Sequence, residues 1–409
     1  MAMVNLTCRR AKPEDWQAIT EISRLAFEDV AKHPDALAEL QDETWFSVQN
    51  WLVAEVDGRV VSAMGLRPGV MWMQGVAMPT ATVGTVGTRV EVRGKGIGLE
   101  LVRYAGGVVK EEGLALSRLN TWATRYAFYG RAGYVKAITN SPHNVMNVEV
   151  LGPELRAKCE AALNDGMIRP AHPRDAARLN EIYEATYSRV TGCLSRNEHF
   201  FLRRIARRPK FWLWYAPKVD LVESPKSGVV AYVIYGLDDE RQEILEFAAL
   251  PGKADAARAL LLHVAREAQR MNIRKVDCLV DPPGPLGWIL GEFNAHALSD
   301  SAVFFLQVHD APQFLKIASG IMASACERHE IELTLSLAGL GDVTLGGGRP
   351  LRIVTDAGHL AALLYNGAWF PGLLGQGSVF VHPDTLDAHE AVRRIFPDTR
   401  AFRCKLDGY

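Results

Sequence analysis

Two features that would place a 409-residue chain at once are missing here: a long apolar run and paired cysteines. The longest apolar stretch, GVVAYVIYGL at 228–237, is about half the ~20 residues that a spanning helix needs. The opening MAMVNLTCRR holds no apolar core and no small-residue cleavage site, so no secretory signal is expected. Six cysteines lie far apart with no C-x-x-C pair, a spacing that fits reduced thiols in the cytoplasm better than a disulfide frame or a zinc site. Eleven histidines show no H-E-x-x-H or other ligand spacing, so no metal is expected. The formal net charge is −1, which gives no global field for nucleic acid or an anionic membrane surface.

What is present is ordinary globular material, 48% apolar and 23% charged. It is long enough for two or three domains at roughly 100–200 residues each. An internal repeat marks the first division. Residues 9–22 read RRAKPEDWQAITEI and residues 168–182 read IRPAHPRDAARLNEI. Both place Pro two residues before Asp (Pro13/Asp15, Pro173/Asp175), and both reach Glu-Ile at the sixth and seventh residues after it. Each copy reads as a short strand, a turn and a helix whose first turn carries acids, and the recurrence points to duplication.

The first copy continues into strands. WLVAEVDGRVVSAMGL (51–66) is two β-rich runs about an Asp57-Gly58 turn, a hairpin signal. A helix is expected from about Ile97 to Glu112, ending near Gly113. LSRLNTWAT then reads as a strand, and YAFYGRAGYVK as a short helix, a turn and a strand start. The second copy has strands at FWLWYAP, GVVAYVIYG, QEILEFAAL and KVDCLVD and a helix at 254–271, with LPGK where the first copy has a glycine loop. After DPPGPLG the texture changes to a third, α+β unit that begins with FFLQVHDAPQFLKIAS. Gly346–Gly348 fits a β-turn within it. The basic run LRRIARRPK (202–210) reads as a solvated helix face or a subunit contact, and Trp212 and Trp214 as core.

Chemistry is expected first at Arg93-Gly94-Lys95-Gly96-Ile97-Gly98. A Walker loop needs Lys-Ser or Lys-Thr, which is absent, and a dinucleotide fingerprint fails because its third glycine position falls on Leu99. The pattern that fits is R-x-x-G-x-G (Arg93, Gly96, Gly98) between a strand and a helix. Glycines let backbone N–H groups close on a pyrophosphate without Cβ clashes, and the following helix aims its unsatisfied amides at the same anion. A plain surface turn has the same composition, but strand, loop and helix here occur in the order that the phosphate reading requires.

With this loop, the segment FYGRAGY (Phe128, Tyr129, Gly133, Tyr134) resembles the F-Y-x-x-x-G-[FY] element of the GNAT acyltransferase superfamily. The two motifs cover roughly residues 5–140. The whole chain is similar to the three-domain enhanced-intracellular-survival (Eis) acetyltransferases. That resemblance implies a fold class of α/β and α+β: tandem GNAT-like domains at 1–150 and 151–297, the second without a pyrophosphate loop, and a sterol-carrier-protein-like domain at 298–409. It implies acetyl-CoA as acyl donor, direct transfer to a primary amine (an aminoglycoside, polyamine or lysine-like acceptor), and a homo-oligomer, hexameric in the family.

Residue by residue, the resemblance implies that Val86, Gly87 and Thr88 bond the pantetheine like an added strand. Gly94, Lys95, Gly96, Ile97, Gly98 and Leu99 would hold the pyrophosphate, with Arg93 adding charge. Thr124 and Arg125 would line the thioester end, Arg125 standing where Eis proteins carry an acid. Tyr129 would be the general acid: a phenol of pKa about 10 is protonated at neutral pH and near enough to a thiol's 8.5 to deliver a proton. A core tyrosine at a helix end has the same local sequence. The carboxylate at Tyr409 would be the base, a mobile tail being the alternative. Glu28 and Asp29 are nearby acids for a cationic acceptor, or a solvated helix end. A non-catalytic protein that binds an apolar ligand in its C-terminal domain is the rival reading.

Overall fold

The computed structural model describes residues 5–27, 47–138, 141–148, 153, 157, 166–205, 217–237, 242–279, 285–293, 296–300 and 302–397. In chain order the first elements are β1 (Leu6–Arg10), α1 (Trp16–Ala26), β2 (Trp51–Val56), β3 (Arg59–Met73) and β4 (Val76–Thr88). They are followed by α2 (Ile97–Glu111), β5 (Leu116–Trp122), α3 (Tyr126–Gly130) and β6 (Val135–Ile138). Then come β7 (Ser141–Asn147), β8 (Met167–Pro170), α4 (Ala176–Tyr187), α5 (Glu198–Ile205), β9 (Lys218–Ser224) and β10 (Gly228–Leu237). Next are β11 (Gln242–Ala249), α6 (Ala254–Arg270), β12 (Lys275–Cys278), α7 (Pro285–Glu292) and β13 (His296–Asp300). The last stretch holds β14 (Ala302–Val308), α8 (Ala311–Arg328), β15 (Ile331–Leu337), β16 (Gly341–Gly346) and β17 (Arg349–Thr355). It ends with α9 (Ala357–Tyr365), α10 (Phe370–Gly375), β18 (Phe380–His382) and α11 (Leu386–Ile395).

Two seven-stranded sheets share one plan. The first runs β1-β2-β3-β4-β5-β14-β6 and the second β8-β9-β10-β11-β12-β7-β13. Position for position these match, except that the sixth strand of each is supplied from elsewhere in the chain. β14 lies antiparallel between β5 and β6, with Phe305 opposite Leu119 on one side and Lys136 on the other. β7 lies antiparallel between β12 and β13 in the same manner. The described residues accordingly divide into one compact unit of residues up to 138 and from 302 onward, and another spanning 141–300. This differs from the three consecutive segments expected at 1–150, 151–297 and 298–409. FFLQV, read as the start of a third unit, completes the first sheet, and SPHNVMN, read as the end of the first domain, lies in the second.

The duplication read from Pro13/Asp15 and Pro173/Asp175 has a shared physical core. Asp15 accepts from the Lys12 N–H (2.7 Å) and from both terminal nitrogens of Arg9 (2.6 and 2.9 Å). Asp175 repeats this with the His172 N–H (2.8 Å) and Arg169 (2.7 and 3.0 Å). Each arginine also reaches a glutamate one strand over, Glu55 in the first copy and Glu223 in the second. A carboxylate at the start of a helical turn thus satisfies an orphan N–H and neutralises a strand arginine in both copies.

In the first unit α2 covers one face of the sheet. Ile97, Leu101, Val102, Ala105, Val108 and Val109 recur at helical spacing and are all buried, packed with Leu52, Met64, Leu66 and Leu119. Each of the isoleucine, leucine and valine side chains contributes about 1.5–3 kcal/mol when fully buried. The Asp57-Gly58 hairpin is as read, with φ of 51° and 80° at the two turn residues. A four-stranded sheet, β16-β15-β17-β18, belongs to the same unit. Within that unit α9 sits against β6 and β14, where Tyr365 stacks on Phe304 at 4.9 Å. Gly367 lets the chain leave: a Cβ there would stand 1.7 Å from the Phe396 carbonyl oxygen.

One expectation on the second unit is corrected. Arg204 is 2% exposed, with its guanidinium 4.9 Å from the Phe200 ring, so the basic run does not form a solvated face at that position. Phe200 lies one helical turn before it and shares its side of α5. Arg207, Arg208, Trp212 and Trp214 lie outside the described residues. No described helix is long and apolar enough to cross a membrane.

Candidate active site

The site is built where β4 and β5 part. Their parallel ladder has three rows only, Thr80 with Leu116, Ala81 with Ser117 and Thr82 with Arg118. Beyond the third row β4 runs on to Thr88 along β3, and its register slips between Ala63 and Gly65 of that neighbour. Thr85 sits in the slip with φ 50°, a genuine outlier for a β-branched residue, and its buried hydroxyl has no hydrogen-bond partner among the described residues. The bulge turns β4 away from β5. Past Thr82 no described strand pairs with β4 on the side away from β3, at Val86, Gly87 and Thr88.

Two close contacts hold this end of β4. A Cβ on Gly87 would lie 2.8 Å from Ile22 Cγ2 in α1, so only glycine lets that helix press on the strand. The Thr88 hydroxyl is engaged by Ser62 at 2.9 Å, and Ser62 also donates to the Gly87 carbonyl at 2.7 Å.

Next comes the loop. Gly94 (φ 79°) and Gly96 (φ 84°) are both left-handed, and a Cβ at either would meet nothing within 4 Å. Backbone conformation, not crowding, demands glycine there. The first bond into α2 is from the Glu100 N–H to the Gly96 carbonyl, at 3.0 Å. The N–H groups of Ile97, Gly98 and Leu99 precede it and belong to the unsatisfied first turn. The side chains of Ile97 and Leu99 are buried, which fixes the helix end. Lys95 is exposed. Arg93 is exposed too, but its side chain is already used: Nε donates to the Thr88 carbonyl at 2.9 Å and a terminal nitrogen to the Leu25 carbonyl at 3.3 Å.

Tyr129 is brought to the loop by α3. The Phe128 ring lies 3.7 Å from the position of a Cβ on Gly98, which joins α3 to the first turn of α2. Tyr129 is 9% exposed, ringed by Phe128 (4.9 Å), Tyr134 (5.8 Å) and Phe305 (6.2 Å). No described residue hydrogen-bonds its hydroxyl. Burial pushes its pKa up to about 12, and the nearby Arg125 charge offsets only part of that. Thr124 and Arg125 are exposed in the short turn between β5 and α3. Of the residues expected from sequence, the fold brings α3 with Phe128 and Tyr129 up to the first turn of α2 and places Thr124 and Arg125 just before α3. Sequence reasoning missed the bulge at Thr85, the exchange of β14, and a part-buried Ser117–His309 contact. Tyr409, Glu28 and Asp29 lie outside the described residues.

Parallel strands that part beside a glycine loop and a helix N-terminus, with a tyrosine beyond, are the arrangement of a GNAT domain. The comparisons agree: residues 7–137 match the acetyltransferase (GNAT) domain family, and the chain carries that domain. Over nearly its full length the fold is similar to those of several solved proteins. The structure is similar to Eis1 from Mycobacterium abscessus at 16% identity, covering 99% of this chain and 100% of the other with a TM-score of 0.65. It is similar to a GCN5-related N-acetyltransferase from Kribbella flavida at 19% identity, 99% of each chain and TM-score 0.70. It also resembles one from Anabaena variabilis at 16% identity, 96% and 97% of the chains and TM-score 0.71. No curated protein matches the sequence.

Proposed function

We propose that the chain transfers an acetyl group from acetyl-CoA directly to a primary amine. The observation that carries this reading is the parting of β4 from β5 after the Thr82–Arg118 row, next to two left-handed glycines and a helix N-terminus. Val86, Gly87 and Thr88 would bond the pantetheine. The amides of Gly94, Lys95, Gly96, Ile97, Gly98 and Leu99 would take the pyrophosphate, with Lys95 adding charge. Arg93 would serve by holding the loop's shape, and Thr124 and Arg125 would border the thioester.

In this scheme the amine attacks the thioester carbonyl, the tetrahedral intermediate collapses, and the CoA sulfur departs. Tyr129 donates to that sulfur. A phenol at about 12 stays protonated throughout the neutral range. Full transfer to a water-exposed thiolate near 8.5 would be uphill by about 5 kcal/mol at 1.36 kcal/mol per unit. In the dry cleft the sulfur's own proton affinity rises for the same reason, so donation follows the developing charge. The carboxylate at Tyr409 would receive the amine proton, directly or through water.

An aminoglycoside, polyamine or lysine-like acceptor, a hexamer, a cytoplasmic setting and a sterol-carrier-like C-terminal part complete the reading and rest on family resemblance. Titration calorimetry with acetyl-CoA, followed by free-thiol release across an amine panel, tests it. No binding at sub-millimolar acetyl-CoA, or binding untouched by Gly96→Glu, overturns it in favour of a non-catalytic protein.

A further inference from the structure

We propose that Tyr134, Ser117 and His309 form a positioning array that holds Tyr129 at the angle its donation to the leaving sulfur requires. The inference rests on the transferase reading and deepens it. It starts from polar groups where the core would be simpler without them. Ser117 is 0% exposed and Tyr134 3%. Their hydroxyls lie 2.6 Å apart, and the Ser117 hydroxyl is 2.7 Å from His309 Nε2. Alanine and phenylalanine at 117 and 134 would fill the same space with no polar group to satisfy. The three groups satisfy one another in a single file.

Each end of that file is fastened to something that matters. At the Tyr134 end, the Tyr134 N–H donates to the Tyr129 carbonyl at 3.1 Å, and the Ala132 N–H to the same oxygen at 2.9 Å. The two tyrosine rings meet edge to face at 5.8 Å. A shift of Tyr134 therefore moves both the backbone and the ring of Tyr129. Ser117 stands on β5 in the row Ala81–Ser117, next to the last row before the strands part, so the file is anchored to the β4–β5 ladder.

His309 supplies the other end from far along the chain, just after β14. Its N–H and that of Asp310 donate to the Ala115 carbonyl at 3.0 and 3.2 Å. Its ring fits because residue 106 of α2 is glycine; a Cβ there would come 2.9 Å from Nδ1. Burial lowers its pKa to about 4, so at neutral pH the ring is uncharged and can accept from Ser117 through Nε2. The array thus ties α2, β5, β6 and the turn after β14 to the residue that donates.

The test compares Ser117→Ala, Ser117→Thr and Tyr134→Phe with the parent and with Tyr129→Phe, by steady-state kinetics and thermal melts. Ser117→Ala and Tyr134→Phe should each lower kcat about tenfold while KM for acetyl-CoA stays within twofold. Ser117→Thr should restore most of the loss. The double variant should be no worse than either single one, since both break one file. Full kcat in Ser117→Ala and Tyr134→Phe, beside a Tyr129→Phe that has collapsed, overturns the array and leaves the transferase reading standing. A parent that releases no thiol with any amine overturns the transferase reading instead. The array is then read from the 13Cζ resonance of Tyr129 in the free protein. A shift in Ser117→Ala, reversed in Ser117→Thr, upholds its hold on Tyr129; an unmoved resonance overturns it.

Discussion

Arg93 Nε donates to the Thr88 carbonyl at 2.9 Å, closing a ring of chain across the turn that precedes α2. The guanidinium also reaches the end of α1 at Leu25, so this arginine braces the loop. Arg93→Lys keeps the charge but loses the planar fork that spans both carbonyls. We expect acetyl-CoA Kd to rise about tenfold in Arg93→Lys and to a similar extent in Arg93→Ala. Calorimetry would show a charge role instead if lysine restored full affinity.

Gly96 is the N-terminal flank of α2 at φ 84°. An L-residue there costs roughly 1–2 kcal/mol in backbone strain, although space is open. Gly96→Ala should weaken acetyl-CoA binding about tenfold and leave kcat at saturation near the parent value. A matching fall in kcat would mean that the loop also shapes the thioester end.

Tyr129→Phe should cut kcat by about 10²–10⁴, the usual worth of a positioned acid. Because burial holds the hydroxyl near 12, the parent rate should show no alkaline limb from this residue below about pH 11. A pH–rate profile of kcat measures this. A limb near 10 that vanishes in Tyr129→Phe would show that bound acetyl-CoA lowers the tyrosine toward its ordinary value.

The paired carboxylates give a stability prediction. Arg169 holds Asp175 below the usual carboxylate range, and Arg9 does the same for Asp15. A lowered folded-state pKa means stability that is complete above the unfolded value of about 3.9 and lost as pH falls through the folded one. Asp175→Asn should lower Tm at pH 7 and flatten the acid side of a Tm–pH curve below about pH 4. An unchanged acid slope would show that other carboxylates govern it.

If the Tyr409 carboxylate is the base, removing the last residues or adding a C-terminal tag should lower turnover about 10²–10⁴-fold with acetyl-CoA affinity nearly unchanged. Tyr409→Phe should be mild, since the ring has no part in the step. A tagged enzyme at full turnover assigns the proton to a water relay instead.

Much of the candidate site is legible because its parts are local. Glycines at 94, 96 and 98, a strand before and a periodic helix after are written within one short segment, as is the Phe128-Tyr129 pair. Nothing local says which sheet an apolar strand will join, so FFLQV was placed with its neighbours in sequence. Ser117 and His309 are 192 residues apart, and each alone is an unremarked polar residue. Thr85 gave no warning, since a threonine in a strand is the favoured choice and its φ is set by the slip against β3. Arg204 was read by charge alone, although Phe200 one turn earlier marked the buried side of that helix.

The borrowed sixth strand has a consequence during synthesis. When β6 leaves the ribosome, the seat between β5 and β6 is empty, and it stays so until Ala302–Val308 has been made. At 5–20 residues per second that wait is on the order of ten seconds. Throughout it the nascent sheet offers an open slot with unpaired amides and carbonyls on both sides, able to accept any strand of the right length. A fragment that ends near residue 150 never escapes that state, and it should aggregate or recruit a chaperone where the full chain folds.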